Sequence, residues 1–349
     1  MEPLASRSTR PYSLLLASDA RGQGWASALQ TAARRGAVVK VRPGVYLDAP
    51  VWSAMTPEDR YLARINAVGL TFRRPVFMLE SAAAVYELPL LRTRLRGIHL
   101  ARTTPSGSGR RGDVTVHDPG RTLDVVEIDG LRVSSLSECV WDLACRLPHP
   151  EALAIADAAL RRPSPDEASD ACAGATMHRR LLDLARARLS ARGGWSALLA
   201  IEQADAGSGS LGESVARSAM LRLGAPPPEL QAPMWDDDGL IGYADFFWRE
   251  HGVVGEFDGK LKYGADNPSG RPPEDVVYRE KIREDRIRAV TAGFFRCGWA
   301  DVNDPRRLER LLRAAGLPLA PTSAATRASR PTPGHLPLVG SSAEPKRSR

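Results

Sequence analysis

The sequence predicts a multidomain chain that mixes α/β and α+β units, and three observations carry that expectation. At 349 residues the chain exceeds the size at which one hydrophobic core keeps growing, so two or three domains are expected. The stretch Pro163 to Thr176, PSPDEASDACAGAT, has the composition of a linker and is the best internal boundary. Between Ile241 and Tyr263, two strand-type runs turn about His251-Gly252 and are bracketed by helical segments, the pattern of a sheet flanked by helices. The divisions that follow are 1–56, 57–162, 163–207 (linker and basic helix), 208–316 and a tail at 317–349.

Residues Gly24 to Arg35 place Trp25, Leu29 and Ala32 at helical spacing, and Gly36 suits the position just past a helix end. Ala37 to Tyr46 then reads as two β-type runs about Pro43-Gly44. A helix ending in Arg34-Arg35 before a basic hairpin carrying Lys40 and Arg42 is winged-helix-like, and those four residues are the candidate DNA contacts. A small helix and hairpin with solvated arginines is the plainer alternative.

In the middle region, Glu58 to Val68 is expected as a helix with Pro57 at its start, and Ser81 to Tyr86 as another, capped by Ser81. Short strands follow near 97–103, 113–117, 123–128 and 131–134, then helices over 135–146 and 150–161. Nothing there has catalytic spacing, so an α+β interaction or scaffold module is expected. Met177 to Gly194 gives a basic helix with Leu181, Leu182, Leu184, Ala185 and Leu189 on its apolar side.

The C-terminal unit opens with Ser210 as a plausible N-cap and Glu213 three residues later, as in a capping box. That leaves Glu213 with two readings, a cap or a site carboxylate. Pro226-Pro227-Pro228 sets up an extended segment, and after the strand pair comes a Gly- and Pro-rich loop to Pro273 and a charged helix over 274–292. The tail, rich in Pro, Ser, Ala and Arg, is expected to be disordered.

Strand side chains alternate between faces, so Glu256, Asp258 and Lys260 share one face if the strand persists, with Asp245 on its neighbour. Two or three close carboxylates repel one another, and a divalent cation is the usual remedy. The net charge of +7 suits a polyanionic partner. The four cysteines, Cys139, Cys145, Cys172 and Cys297, have neither CxxC nor zinc spacing and read as reduced thiols. No stretch approaches the roughly 20 apolar residues of a membrane helix, and a cytoplasmic location is expected.

From Leu211 to Leu312 the chain resembles the PD-(D/E)xK nucleases, in particular the very-short-patch-repair-type branch of the restriction-endonuclease-like superfamily. The residues that carry the resemblance are Leu211-Gly212-Glu213-Ser214, Pro228-Glu229-Leu230-Gln231, Asp245, Glu256 to Lys260, Glu280 to Arg286, and Phe294 to Trp299. It implies a mixed sheet flanked by helices, Mg²⁺ or Mn²⁺, and phosphodiester hydrolysis in DNA. It also implies catalytic roles for Asp245, Glu256, Asp258, Lys260 and Glu213, with Asp245, Glu256, Asp258 and the backbone carbonyl of Phe257 as metal ligands. The chain departs from the family at one place: two residues after Glu256, where the ExK lysine belongs, stands Asp258. Lys260, Lys262 and Lys281 remain candidates for that lysine, and Lys262, Lys281 and Arg283 for phosphate contacts. From Gly22 to Leu160 the chain also resembles the winged-helix and middle parts of AbiEi-family antitoxins, through RRGAVVKVRPGVYL, Glu80 to Ala84, Asp129 to Val133 and Trp141-Asp142-Leu143. Two functions stay open on these residues. One is a metal-dependent endonuclease with an N-terminal targeting module; the other is a catalytically silent DNA-binding regulator or antitoxin with a toxin-type partner.

Overall fold

A computed structural model describes residues 12–102, 109–162, 173–259 and 273–320. It is a mixed α/β chain with three sheets among those residues.

The N-terminal part runs β1 (Leu15–Leu16), α1 (Ala17–Gly22), α2 (Ala26–Arg34), β2 (Val38–Arg42), β3 (Val45–Asp48) and α3 (Ala49–Ala54), its sheet ordered β1-β3-β2. The helix expected over Gly24 to Arg35 is α2, with Trp25 as its N-cap, and the short α1 precedes it. Gly36 follows α2 with φ of 70°, the left-handed conformation that its missing Cβ makes inexpensive. Ala20, Leu29 and Val38 form a small core beneath them.

The middle part is larger. In order come α4 (Pro57–Thr71), β4 (Val76–Phe77), α5 (Leu79–Val85), β5 (Ile98–Ala101), β6 (Gly109–Arg111), β7 (Val114–His117), β8 (Val125–Ile128), β9 (Leu131–Ser134), α6 (Leu136–Ala144) and α7 (His149–Leu160). Two more helices, α8 (Ala173–Ala187) and α9 (Gly194–Glu202), complete it. The sheet order β6-β7-β5-β4-β9-β8 combines parallel and antiparallel pairs. Thr56 and Asp59 close a reciprocal capping box on α4, with Pro57 at the first position, where its missing N–H has no intrahelical partner to lose. Ser81 is not the cap of α5. It lies inside that helix, and its hydroxyl is used across the core instead, accepting from the His99 N–H at 2.8 Å and meeting the Tyr61 hydroxyl at 3.0 Å. The predicted apolar side of α8 is real: Leu181 and Ala185 are buried in the same core as Phe77, Ile98, Leu143 and Leu153. The basic helix and α9 therefore pack with the middle part.

The C-terminal part holds α10 (Leu211–Arg222), β10 (Glu229–Asp236), β11 (Gly239–Trp248), β12 (Val253–Asp258), α11 (Pro273–Ala289), β13 (Gly293–Gly298), α12 (Trp299–Val302) and α13 (Pro305–Ala314). Its sheet is ordered β10-β11-β12-β13, antiparallel except for the β12–β13 pair, where α11 makes the crossover. One face packs against α10, α12 and α13 through Phe246, Trp248, Val253, Phe295 and Cys297. The other packs against α11 through Met234, Ala244, Val254 and Ile287. The alternation of Val253 and Val254, and of Phe294 and Phe295, between these two cores is the period of 2 expected of strands buried on both sides.

Helix α10 is also fixed to the middle part. Arg217 donates to both carboxylate oxygens of Asp157 on α7, at 2.7 and 2.8 Å, and to the Gln203 carbonyl. The Ser214 hydroxyl and the Asp205 N–H donate to Asp157 as well. Asp157 is fully buried and Arg217 nearly so. Among the described residues no helix is long and apolar enough to cross a membrane.

Candidate functional site

The site begins at the first turn of α10. The Ser210 hydroxyl accepts from the Glu213 N–H at 3.2 Å, the cap that the sequence suggested. The Glu213 carboxylate accepts in return from Ser210 Oγ at 2.8 Å and from the Gly209 N–H at 2.7 Å. Gly212 lets this turn approach the sheet, since a Cβ there would lie 2.1 Å from Cε1 of Phe257 on β12. Phe257 in turn meets Trp299 edge to face, with ring centroids 5.4 Å apart.

Glu213 does more than cap. Nε2 of Gln231, on β10, donates to Glu213 Oε2 at 3.3 Å and to Asp245 Oδ1, on β11, at 3.1 Å. The other Asp245 oxygen accepts the backbone N–H of Phe257 at 2.9 Å. One amide group thus links two carboxylates that are 32 residues apart in the chain, and both are half-buried. Gln231 holds this place from a left-handed backbone, φ 49°. The β10–β11 register runs from Leu230↔Phe246 to Ala232↔Ala244 around the Gln231 and Asp245 positions.

Glu256 faces elsewhere. It is 6% exposed, and its carboxylate accepts from Arg283 of α11 and from Arg296 of β13, the latter at 2.7 Å. Glu280 and Glu284 of α11 extend the network through Arg296 at 3.2 and 3.0 Å. Burial alone would lower the Arg283 pKa, but its bonds to Glu280 and the charge of Glu256 outweigh burial and hold it above the ordinary value. Glu280 likewise titrates below the usual carboxylate range: burial opposes this, and Arg283 and Arg296 prevail. Asp245 is therefore tied to α10, and Glu256 to α11 on the opposite side of the sheet. Among the described residues no three of His, Cys, Asp and Glu are placed to hold a metal ion together.

A smaller set does fit one. Mg²⁺ characteristically takes one or two carboxylates and completes its shell with water and substrate phosphate oxygens. The Glu213–Asp245 pair, its oxygens gathered about one hydrogen-bond donor, has the chemistry of such a half-shell. Glu256, already neutralised by two guanidiniums, does not.

The remaining sequence-derived candidates are dispersed. Asp258 follows Phe257 as the last residue of β12. Lys260 and Lys262 lie outside the described residues. Lys281 is exposed on α11, while Arg283 is committed to Glu256, Glu280 and the Tyr243 carbonyl. Arg34, Arg35 and Lys40 are exposed in the N-terminal part. Arg42 is not: its guanidinium stacks over Phe72 at 5.1 Å, with Nε and Nη1 buried. Burial pushes the Cys297 thiol up to about 12, with Asp301 and Asp245 adding to the shift, so this cysteine is an inert core residue. Sequence reasoning gave Gln231 no role; it lay within a segment of resemblance, but no spacing rule marks a bridging amide. No family model and no curated protein matches the chain.

Proposed function

We propose that the chain is a metal-dependent DNA endonuclease whose C-terminal unit is of the restriction-endonuclease-like, very-short-patch-repair type, joined to an N-terminal winged-helix-like targeting module. The observation that carries this reading is the Glu213–Gln231–Asp245 link at the α10 face of a mixed, helix-flanked sheet. Asp245 and Glu213 would hold Mg²⁺ or Mn²⁺, and the backbone carbonyl of Phe257 and Asp258, the further ligands the resemblance implies, would complete the protein's share of the shell. When bound, the ion supplies a Lewis acid at the scissile phosphate and lowers the pKa of an attacking water. The chain's own residues set the stage. The Phe257 N–H fixes the rotation of the Asp245 carboxylate, and Gly209 with Ser210 fixes that of Glu213. Lys260, after Asp258-Gly259, would bring its ammonium to the phosphate or the water. Exposed Arg34, Arg35 and Lys40 would neutralise backbone phosphates and orient the duplex. Glu256 works as a structural anion that fastens α11, in place of the ligand role the resemblance implied.

A second reading rests on the same residue. Neutralisation of Glu256 by Arg283 and Arg296 withdraws one carboxylate from any metal shell, which favours a silent DNA-binding regulator of AbiEi type with a toxin-type partner. Plasmid cleavage in Mg²⁺ or Mn²⁺, with Asp245→Ala as the control, separates the two. Cleavage lost in the variant supports the nuclease; DNA binding without cleavage in wild type supports the regulator.

A further inference from the structure

Gln231 stands out among polar residues of the C-terminal sheet on two counts. It is a non-glycine residue held at φ 49°, a left-handed conformation that a side-chain-bearing residue adopts only at a cost. Its neighbours on the strand, Leu230 and Ala232, are paired with β11, while the Gln231 side chain spans from α10 to β11. Strain of this kind persists only where the surroundings over-determine it. Here the determinants are two acceptors, Glu213 Oε2 at 3.3 Å and Asp245 Oδ1 at 3.1 Å, sharing one donor nitrogen. Each acceptor is steadied independently on its far side, Glu213 by Gly209 and Asp245 by Phe257.

We infer that Gln231 is a positioning residue of the site: its amide keeps Glu213 and Asp245 at a common focus when no cation is there, and gives way to one. This deepens the nuclease reading and rests on it. Two ionised carboxylates facing one focus repel each other, and a neutral amide N–H₂ is the mildest group that can compensate both without a charge of its own. A lysine or arginine in that position would compensate them more strongly and compete with the metal. Gln231 therefore preserves the cation's place at low occupancy cost, and the left-handed backbone is what aims it there.

The test compares the full chain with Gln231→Asn and Gln231→Gly. Asparagine tolerates the left-handed backbone but is one methylene too short to reach both carboxylates; glycine removes the strain and the amide together. Thermal unfolding is followed at pH 7.5 in EDTA and again with Mn²⁺, and Mn²⁺ binding is titrated directly by electron paramagnetic resonance. Expected are a lower Tm for Gln231→Asn in EDTA and a larger rise on adding Mn²⁺ than wild type shows, because the cation then supplies the compensation that the amide no longer gives. Gln231→Gly shows the same enhanced Mn²⁺ response despite its relaxed backbone. Equal Mn²⁺ shifts in wild type and both variants overturn the role of Gln231 while leaving the metal site standing. A wild type that binds no Mn²⁺ and whose Tm does not move overturns the metal reading beneath it.

Discussion

Asp157→Ala is the substitution whose cost the structure fixes most tightly. Asp157 is 0% and Arg217 6% exposed, and the two share a bidentate pair between α7 and α10. Removing the carboxylate strands a guanidinium in the interior, while the Ser214 hydroxyl and the Asp205 N–H lose their acceptor. Breaking one partner of a buried pair costs about 3–5 kcal/mol, and that range is expected here. Replacing both partners with apolar groups of similar volume, Asp157→Leu with Arg217→Met, is expected to cost about 2 kcal/mol or less, because no uncompensated charge remains. Guanidinium unfolding followed by tryptophan fluorescence measures wild type, Asp157→Ala and the double variant, and the cycle completed with Asp157→Leu and Arg217→Met alone isolates the coupling. Since α10 carries Glu213, Asp157→Ala should also weaken cleavage more than its stability loss alone explains. A single-variant cost under about 1 kcal/mol, or a double variant as unstable as Asp157→Ala, refutes the reasoning.

Three further outcomes follow from the same structure. Glu256→Ala should destabilise by about 2–3 kcal/mol, near the low end for a buried pair because Arg283 and Arg296 are partly exposed, yet retain metal-dependent cleavage; full stability with cleavage abolished would make Glu256 a ligand after all. His99 and His117 lie 2.9 Å apart with Glu80 and Arg146 facing them, and burial lowers both pKa values, His117 to about 4. The folded state thus binds fewer protons than the unfolded chain between about pH 6.5 and 4, so the pair's contribution is complete above pH 6.5 and is lost as pH falls through that window. Discounted for the exposure of His117, the loss is about 1–2 kcal/mol, and denaturation at pH 7.5 and 5 should show a smaller difference in a His99→Gln/His117→Gln variant. DNA affinity should fall steeply between 50 and 200 mM salt, with a shallower slope for Arg34→Ala/Lys40→Ala; isotherms independent of salt would exclude phosphate-dominated contact.

Much of the C-terminal unit was legible because its signals are local. The strand-type run after His251-Gly252 is β12, Val253–Asp258, and the cap at Ser210 is present as read. Residues that act across the fold were not. Glu256 finds Arg283 and Arg296 at separations of 27 and 40 positions, which alternation on one strand does not encode. The alternation rule put Glu256 on a strand face but did not say which helix covers that face; α11 does. Gln231 escaped for a related reason: its role depends on a left-handed backbone and on acceptors from α10 and β11, and nothing in PELQAP announces either. Ser81 looked like a cap because serine often is one, and became a core hydrogen-bond partner once β5 packed beside it.

The central claim is that Asp245 belongs to a metal-dependent phosphodiesterase site, and a cleavage assay tests it most directly. Supercoiled plasmid, linear duplex, mismatched duplex and single-stranded DNA are each incubated with wild type and Asp245→Ala in Mg²⁺, in Mn²⁺ and in EDTA. The account predicts nicking or cutting of at least one substrate by wild type with either metal, none in EDTA, and none by Asp245→Ala although its DNA binding is retained. Cleavage by Asp245→Ala at the wild-type rate, or a folded, DNA-binding wild type that cuts no substrate in either metal, would contradict it.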